Sequence, residues 1–424
     1  MLGVLIVTSF SFLHAADIHL DSPLDGLAAR TPGFSLIVRG ATRRALESLV
    51  RLAIDDGVNF VLISGDLYDG TLRDMATAQF ALRQFGLLAR AGIRVVIIHG
   101  NHDAESRITR HLTPPEGVIQ LANNRCQTYV MDDIGVAVHG RSYKEAHTFE
   151  NLAQTYCKPT AGMFNIAMLH TALEGNAAHA PYAPCSVGEL VAQGHDYWAL
   201  GHVHERAVLH EVPHIVFPGN LQGRHVREPG AKGAFVVHVE NGSVVRTDFR
   251  ALDEVRFTTC SIDTAGMTQS LDLDEAIRAE LRAAMESSDG RTVAVRLRIA
   301  GSGAFADTIL AEQAWLAEQA QAAASAVSEY LWIERIKVDV VDEVEPSRLP
   351  PEIEDLLAAA AADPDCLTAI DATLADLRAK LPASIAANEM TPLLSAARDR
   401  RSTDLAVAAH RLVAARLGVL GDQR

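Results

Sequence analysis

Five short polar motifs, each following a run of apolar and β-branched residues, constrain this chain more than any other feature. They are Asp17-Ile18-His19, Gly65-Asp66, Gly100-Asn101-His102-Asp103, His170 and Gly201-His202-Val203-His204. The runs before them are Ser11 to Leu13, Val58 to Ile63, Ile93 to Ile98, Phe164 to Leu169 and Tyr197 to Leu200. They read as strands, and the glycine or polar residues that follow read as loops. Motifs at the carboxyl ends of several strands converge on one edge of a sheet, where open α/β folds place ligands. The spacing therefore predicts a single site.

The segments between the motifs agree with that reading. Thr42 to Asp56 carries Ala45, Leu46, Leu49, Val50 and Ala53 at helical spacing and stops at Gly57. Met75 to Ala91 repeats the arrangement with Phe80, Leu82, Leu87 and Leu88 before Gly92. Strand alternating with helix is the crossover pattern of a layered α/β domain. Shorter strands are expected at Thr128 to Met131, Gly135 to Val138, Ile215 to Phe217 and Ala234 to Val239, as the second half of a two-sheet sandwich.

The chemistry of the site follows from its donors. Asp17, His19, Asp66, Asn101, His170, His202 and His204 offer carboxylate, imidazole and amide groups and no thiolate. That set suits manganese, iron or zinc. It is too large for one catalytic ion with an open position, and fits two ions sharing a carboxylate, about 3.5–4 Å apart. Two divalent cations against the two carboxylates leave a formal excess of positive charge, which attracts a phosphodiester and acidifies bound water.

Composition sets the surroundings. The chain has 424 residues and 48% hydrophobic content, enough for two or three packed domains. Its five cysteines form no Cys-x-x-Cys pair, which points to a reducing compartment. The apolar stretch Met1 to Leu13 lacks a preceding Lys or Arg, and cleavage near Ala16 would remove the strand leading into Asp17, so it is read as mature chain. No run approaches the roughly 18 apolar residues of a membrane span, and a cytoplasmic protein is expected. The net charge of −15 means that any nucleic-acid surface is local, metal-assisted or completed by a partner.

The order Asp-x-His, Gly-Asp, Gly-Asn-His-Asp, His, Gly-His-x-His resembles the calcineurin-like metallophosphoesterase superfamily. His14 to Leu24 and Pro218-Gly219-Asn220-Leu221-Gln222-Gly223-Arg224-His225 are similar to the SbcD-type DNA repair exonuclease subunits, in their YhaO-like branch. Gly65-Asp66-Leu67-Tyr68-Asp69-Gly70-Thr71 lacks the arginine of the Gly-Asp-x-x-Asp-Arg-Gly run of protein phosphatases, and Asp69 stands where archaeal and eukaryotic relatives of the nuclease commonly place His.

The resemblance implies an α/β fold, the two-sheet α/β/β/α sandwich, over residues 1–250. It assigns Asp17, His19, His204 and bridging Asp66 to one ion, and Asn101, His170, His202 and Asp66 to the other. His102 becomes the general acid, a role typically worth about 10²–10⁴-fold in rate. Asp103 either orients that ring or caps its loop. Asp69 either touches His102 or closes its own turn, with the turn favoured. Arg141, and the cluster Arg224, His225, Arg227 and Lys232, are candidates for phosphate contact or plain solvated loops.

From Val255 the texture changes. Strands at Val255 to Ile262, Thr292 to Ile299 and Tyr330 to Val341 alternate with helices at Asp272 to Met285 and Ala306 to Ala324. This is a small α+β unit over residues 251–342, which the resemblance makes a capping domain that helps select DNA. Residues 343–424 read as a proline-containing linker and a helical C-terminal appendage, with one stripe of Leu367, Ile370, Leu374, Leu377 and Leu381 and another of Leu405, Ala408, Ala409, Leu412 and Val413. That appendage is either a mini-bundle docked on its own protein or, as the resemblance implies, the docking site for an SbcC-like coiled-coil ATPase. No P-loop signature occurs, so any nucleotide regulation would come from a partner. The resemblance also implies a homodimer. The expectation is a manganese-dependent DNA exonuclease of a repair complex, against two alternatives: a phosphodiesterase for a small nucleotide, and a non-catalytic scaffold for an ATPase.

Overall fold

The computed structural model describes residues 9–22, 40–70, 75–105, 114–173, 182–301, 312–340 and 350–380, with isolated positions elsewhere. Residues 1–8, most of the linker and Leu381, Ala408 and Leu412 lie outside the described residues. The chain divides into two compact units: Met1–Thr258 with Met285–Val295, and Thr259–Ala284 with Arg296–Arg424.

In the first unit, β1 (Phe10–Ala15), α1 (Ala41–Asp55), β2 (Phe60–Ser64), α2 (Met75–Arg90), β3 (Arg94–Ile98), the one-turn α3 (Asn101–Glu105) and β4 (Val118–Gln120) alternate as the crossover pattern requires. Next come β5 (Gln127–Met131), β6 (Val136–Gly140), β7 (Phe164–His170), α4 (Val187–Ala192), β8 (Tyr197–Gly201), β9 (Ala207–Glu211), β10 (His214–Phe217), β11 (Gly233–Glu240) and β12 (Ser243–Ala251). They form two six-stranded sheets, ordered β12-β11-β1-β2-β3-β4 and β5-β6-β7-β8-β10-β9. β1 to β4 run parallel, as do β6, β7, β8 and β10, so the motif-bearing ends share one rim in each sheet.

Each central strand is buried on both faces, which is why its sequence reads as an unbroken apolar run. Alternation then sorts the residues. Phe12, Phe60, Leu62, Val96 and Ile98 meet Val138, Ile166, Met168, Tyr197 and Ala199 between the sheets. Phe12 stacks on Phe60 at 5.0 Å and meets Tyr197 edge-on at 5.1 Å. Leu13, Ala15, Val61, Ile63, Val95 and Ile97 face the other way, against α1 and α2. Ala167, Leu169, Trp198 and Leu200 likewise pack under Tyr143, Leu152, Tyr156 and Leu190. The result is the α/β/β/α sandwich.

Two expectations change. Ala234 to Val239 belongs to the first sheet, not the second: β11 pairs antiparallel with β1 and β12 covers its far side. On α2, Leu82 is half-buried and Leu87 is 40% exposed. The inward stripe is Ala78, Ala81, Phe85 and Leu88, a helical spacing centred away from Leu87.

The second unit contains the expected alternation. β13 (Val255–Asp263), α5 (Ser270–Glu286), β14 (Thr292–Gly301), α6 (Gln313–Val327) and β15 (Leu331–Val340) build a three-stranded sheet of order β13-β14-β15 with two helices. α5 buries Leu273, Ile277, Leu281 and Ala284, and α6 buries Leu316, Ala320, Ala323 and Ala324. The unit boundaries fall inside β13, α5 and β14. α7 (Pro351–Ala362) and α8 (Pro364–Lys380) follow, and Leu374 is buried. Among the described residues, no helix is long and apolar enough to cross a membrane.

Candidate metal centre

Every motif residue lies at or just beyond the carboxyl end of a parallel strand. Asp17 and His19 follow β1, Asp66 follows β2, Asn101 and His102 open α3 after β3, His170 ends β7, and His202 and His204 follow β8. The backbone there is contorted, with φ of 51° at Asp17, 43° at His19, 50° at Asp66 and 98° at His202. Left-handed conformations at bulky residues persist only where surrounding contacts hold them, and they concentrate at functional sites. Gly65 and Gly100 permit the close approach. A Cβ at Gly65 would lie 2.3 Å from His170 Nδ1, and one at Gly100 would lie 2.3 Å from Asp66 Oδ1.

The side chains form two groups around one carboxylate. Asp17, His19 and His204 bring candidate ligand atoms within 4.8 Å of one another, and so do Asp66, His170 and His202. Asp66 Oδ2 lies between them, 3.8 Å from His19 Nε2 and 3.4 Å from His170 Nε2. Asn101 Oδ1 is 3.2 Å from His170 Nε2, on the second group's side. Asp17 accepts from the His202 backbone N–H at 2.9 Å, and Asp66 accepts from the His102 N–H at 2.9 Å. The structure thus brings all seven expected residues together.

Their outer contacts fix which ring nitrogen points inward. His170 Nδ1 faces the Ser64 carbonyl at 2.9 Å and must donate to it, so Nε2 carries the lone pair toward the centre. His204 Nδ1 faces Glu228 Oε1 at 2.7 Å with the same consequence. Nε2 of His204 then stands 3.2 Å from Nε2 of His19, whose Nδ1 is buried with no hydrogen-bond partner among the described residues. Converging imidazole nitrogens beside buried carboxylates form a donor set that a divalent cation satisfies. The protonation pattern agrees. Burial pushes Asp17 up to about 6. Burial opposes the charge on His170, but Asp66 and Asp17 raise it to about 9. Burial also opposes the Asp66 charge, yet His170 and His19 hold that carboxyl well below its usual range. Without a cation His170 retains a proton at neutral pH, which a metal would displace.

His102 sits beside both groups, its ring 4.8 Å from that of His19. Its Nδ1 pairs with Asp69 Oδ1 at 3.0 Å, so Asp69 touches His102 and does more than close its own turn. Burial works against the His102 charge, but the Asp69 hydrogen bond and Asp66 raise its pKa overall. Asp103 has the other role considered for it: its carboxylate accepts from the N–H groups of Leu67, Tyr68 and Gly100 and ties two site loops together.

Glu228 carries no motif and was not foreseen. It orients His204, accepts from Asn220 Nδ2 and from the Arg224 N–H at 2.8 Å each, and is held ionised. Four residues after Arg224 in an irregular loop, nothing periodic marks it. The basic cluster mostly serves the same end. Lys232 is buried and donates to the His204 carbonyl at 2.7 Å, while Arg224 Nη2 lies 3.7 Å from Glu228 and 3.4 Å from His204 Nδ1. His225 Nε2 is 3.6 Å from Glu228, and Arg227 is exposed. Arg141 donates to Thr155 Oγ1 at 3.3 Å.

A family model described as calcineurin-like phosphoesterase matches residues 10–206, and one described as metallophosphoesterase YhaO, middle domain, matches residues 257–341. The uncharacterized metallophosphoesterase YhaO of Bacillus subtilis (strain 168) is 34% identical over 304 residues, covering 70% of this chain and 73% of that protein. The DNA double-strand break repair protein Mre11 of Methanopyrus kandleri is 24% identical over 273 residues, 56% of this chain and 55% of that relative. The protein of the same name from Aeropyrum pernix is 35% identical over 94 residues, 22% of this chain and 21% of its own length. Similarity sustained along most of the Bacillus protein, together with a family match spanning all five strand-end motifs, makes this chain a member of the calcineurin-like metallophosphoesterase family.

Proposed function

We propose that this phosphoesterase cleaves DNA, as a manganese-supported exonuclease within a repair complex. The observation that carries the reading is the His102–Asp69 pair set against two ligand groups that share Asp66. A deoxyribose oxygen is a poor leaving group, so breaking a DNA diester calls for a proton donor beside the phosphate. Asp69 occupies Nδ1 of His102, which leaves Nε2 to hand a proton to the departing oxygen. The divalent ions, when bound, would supply positive charge to the phosphate and an acidified water. Asp66 holds the two groups in register, and Glu228 keeps His204 in the tautomer that faces inward. Support for DNA as substrate comes from the Mre11 relatives, whose name refers to double-strand break repair.

The proposed partners are a coiled-coil ATPase and a second copy of this chain. α7 supports a docking role for the first through Leu356, which is 69% exposed, with Ile353 on the same helix also exposed. Hydrolysis of end-labelled duplex DNA with manganese tests the central reading. Stepwise shortening, abolished by chelation and by His102→Ala, is the expected result. Cleavage of bis-p-nitrophenyl phosphate alone would replace DNA with a small diester such as a cyclic nucleotide.

A further inference from the structure

A chain of rings leads out of the metal centre. The Tyr182 ring lies 5.7 Å from that of His202 and 5.7 Å from that of Phe149, and His147 lies 5.7 Å from Tyr182 and 6.4 Å from Phe149. Burial falls along the series, from buried His202 through half-buried Tyr182 to Phe149, which is 61% exposed. Phe149 thus presents a largely uncovered aromatic face at the end of a ring series that begins at His202. Phe149 and His147 border a groove of about 540 Å³ whose lining includes Arg141, Tyr143 and Lys144. Tyr143 ties this groove to the centre a second time: its ring is 5.5 Å from that of His170, and its hydroxyl donates to the His170 carbonyl at 2.7 Å.

Backbone hydrogen bonds tie the platform at two points. The Ala183 N–H donates to the Thr148 carbonyl at 2.7 Å and the Ala172 N–H to the Tyr182 carbonyl at 2.9 Å, so the loops bearing Phe149 and Tyr182 are bonded to each other and to the chain leaving β7. Arg141 lines the groove with its guanidinium, whose Nη1 donates to Thr155 Oγ1 at 3.3 Å, and exposed Lys144 stands three residues on.

We infer that this groove takes an unpaired nucleotide strand, with bases stacking on Phe149 and His147 and a backbone phosphate on Arg141 and Lys144, beside the ions' ligands His170 and His202. The inference rests on the nuclease reading and names the substrate form: a frayed or single-stranded end, since bases inside a duplex have both faces covered by their stacked neighbours. Glu145 and Glu150 share the groove with the two cations, so stacking, rather than net charge, carries the affinity. Salt dependence should correspond to about one or two phosphate contacts.

The test compares manganese-dependent cleavage of a single-stranded oligonucleotide with that of the same strand containing abasic sites, in the full-length wild type, Phe149→Ala and Phe149→Trp. In the wild type, the base-bearing strand should have a KM about 5- to 100-fold below the abasic strand, the range stacking supplies. That ratio should fall toward one in Phe149→Ala and be kept in Phe149→Trp. Equal KM values for the two strands in the wild type, or an unchanged ratio in Phe149→Ala, would overturn the groove assignment while leaving the nuclease reading standing. Failure of the wild type to cleave either strand, with a small diester still hydrolysed, would overturn both.

Discussion

Asp69→Asn removes the negative charge beside His102 Nδ1 while leaving all seven motif residues in place. It should lower kcat about 10- to 100-fold with KM little changed and metal content intact, read by steady-state kinetics alongside elemental analysis. Glu228→Gln acts differently, because it releases His204 from its inward tautomer. Metal affinity should drop about 10- to 100-fold for the ion held by His204, seen by titration calorimetry, and activity should recover at high metal. An unchanged affinity would mean that His204 does not need Glu228. These two residues also mark where sequence reading stops. The convergence of the seven candidate ligands was legible because each lies at or after the end of a strand and each side chain has an unmistakable chemistry. Asp69 and Glu228 were not, because an acidic residue in a turn looks the same whether it faces solvent or a histidine from another loop. Only the parallel pairing of β2 with β3, which brings the loops after them together, and the meeting of the loop after β10 with the loop after β8 distinguish the two cases.

Single helices show the same limit in packing. The apolar content of α2 was sufficient to predict a helix but not its rotation, since Leu82 and Leu87 compete with Phe85 for the inward face. The structure settles it: Phe85 is 1% exposed and Leu87 is 40% exposed. Phe85→Ala should destabilise the protein by about 3–5 kcal/mol, and Leu87→Ala by no more than about 0.5 kcal/mol, in denaturant titrations. Equal effects would place the stripe elsewhere. β11 escaped assignment to its sheet for a related reason. Its run Gly233 to Glu240 has the period of a buried strand, but which neighbour it pairs with depends on β1 having an open edge, and no local pattern encodes that.

At the scale of the whole sandwich, His14 joins the two sheets. On β1, it bonds to the Tyr197 hydroxyl at 3.0 Å and the Leu200 carbonyl at 3.1 Å on β8, and lies near Ser64 of β2. Complete burial lowers its pKa from 6.5 to about 3, against a smaller raising effect of the Leu200 carbonyl. Between those values the unfolded chain binds a proton that the folded chain refuses. The stability contribution is therefore full above about pH 6.5 and declines as pH falls toward 3, by up to about 1.4 kcal/mol per unit. Urea midpoints of chelated protein between pH 7 and 4 should show that slope, and His14→Gln should flatten it. The candidate ligands straddle the same seam. Asp17, His19, Asp66 and Asn101 come from the first sheet's rim, and His170, His202 and His204 from the second's. Bound ions would then act as rivets through the sandwich. Loading at 100-fold over the dissociation constant would add about 2.7 kcal/mol against unfolding. Stripping the ions should let the amides at the ends of β1 and β8 exchange with solvent sooner than those at the helix-covered middles, so the loss of catalysis and the loosening of the two layers would share one cause.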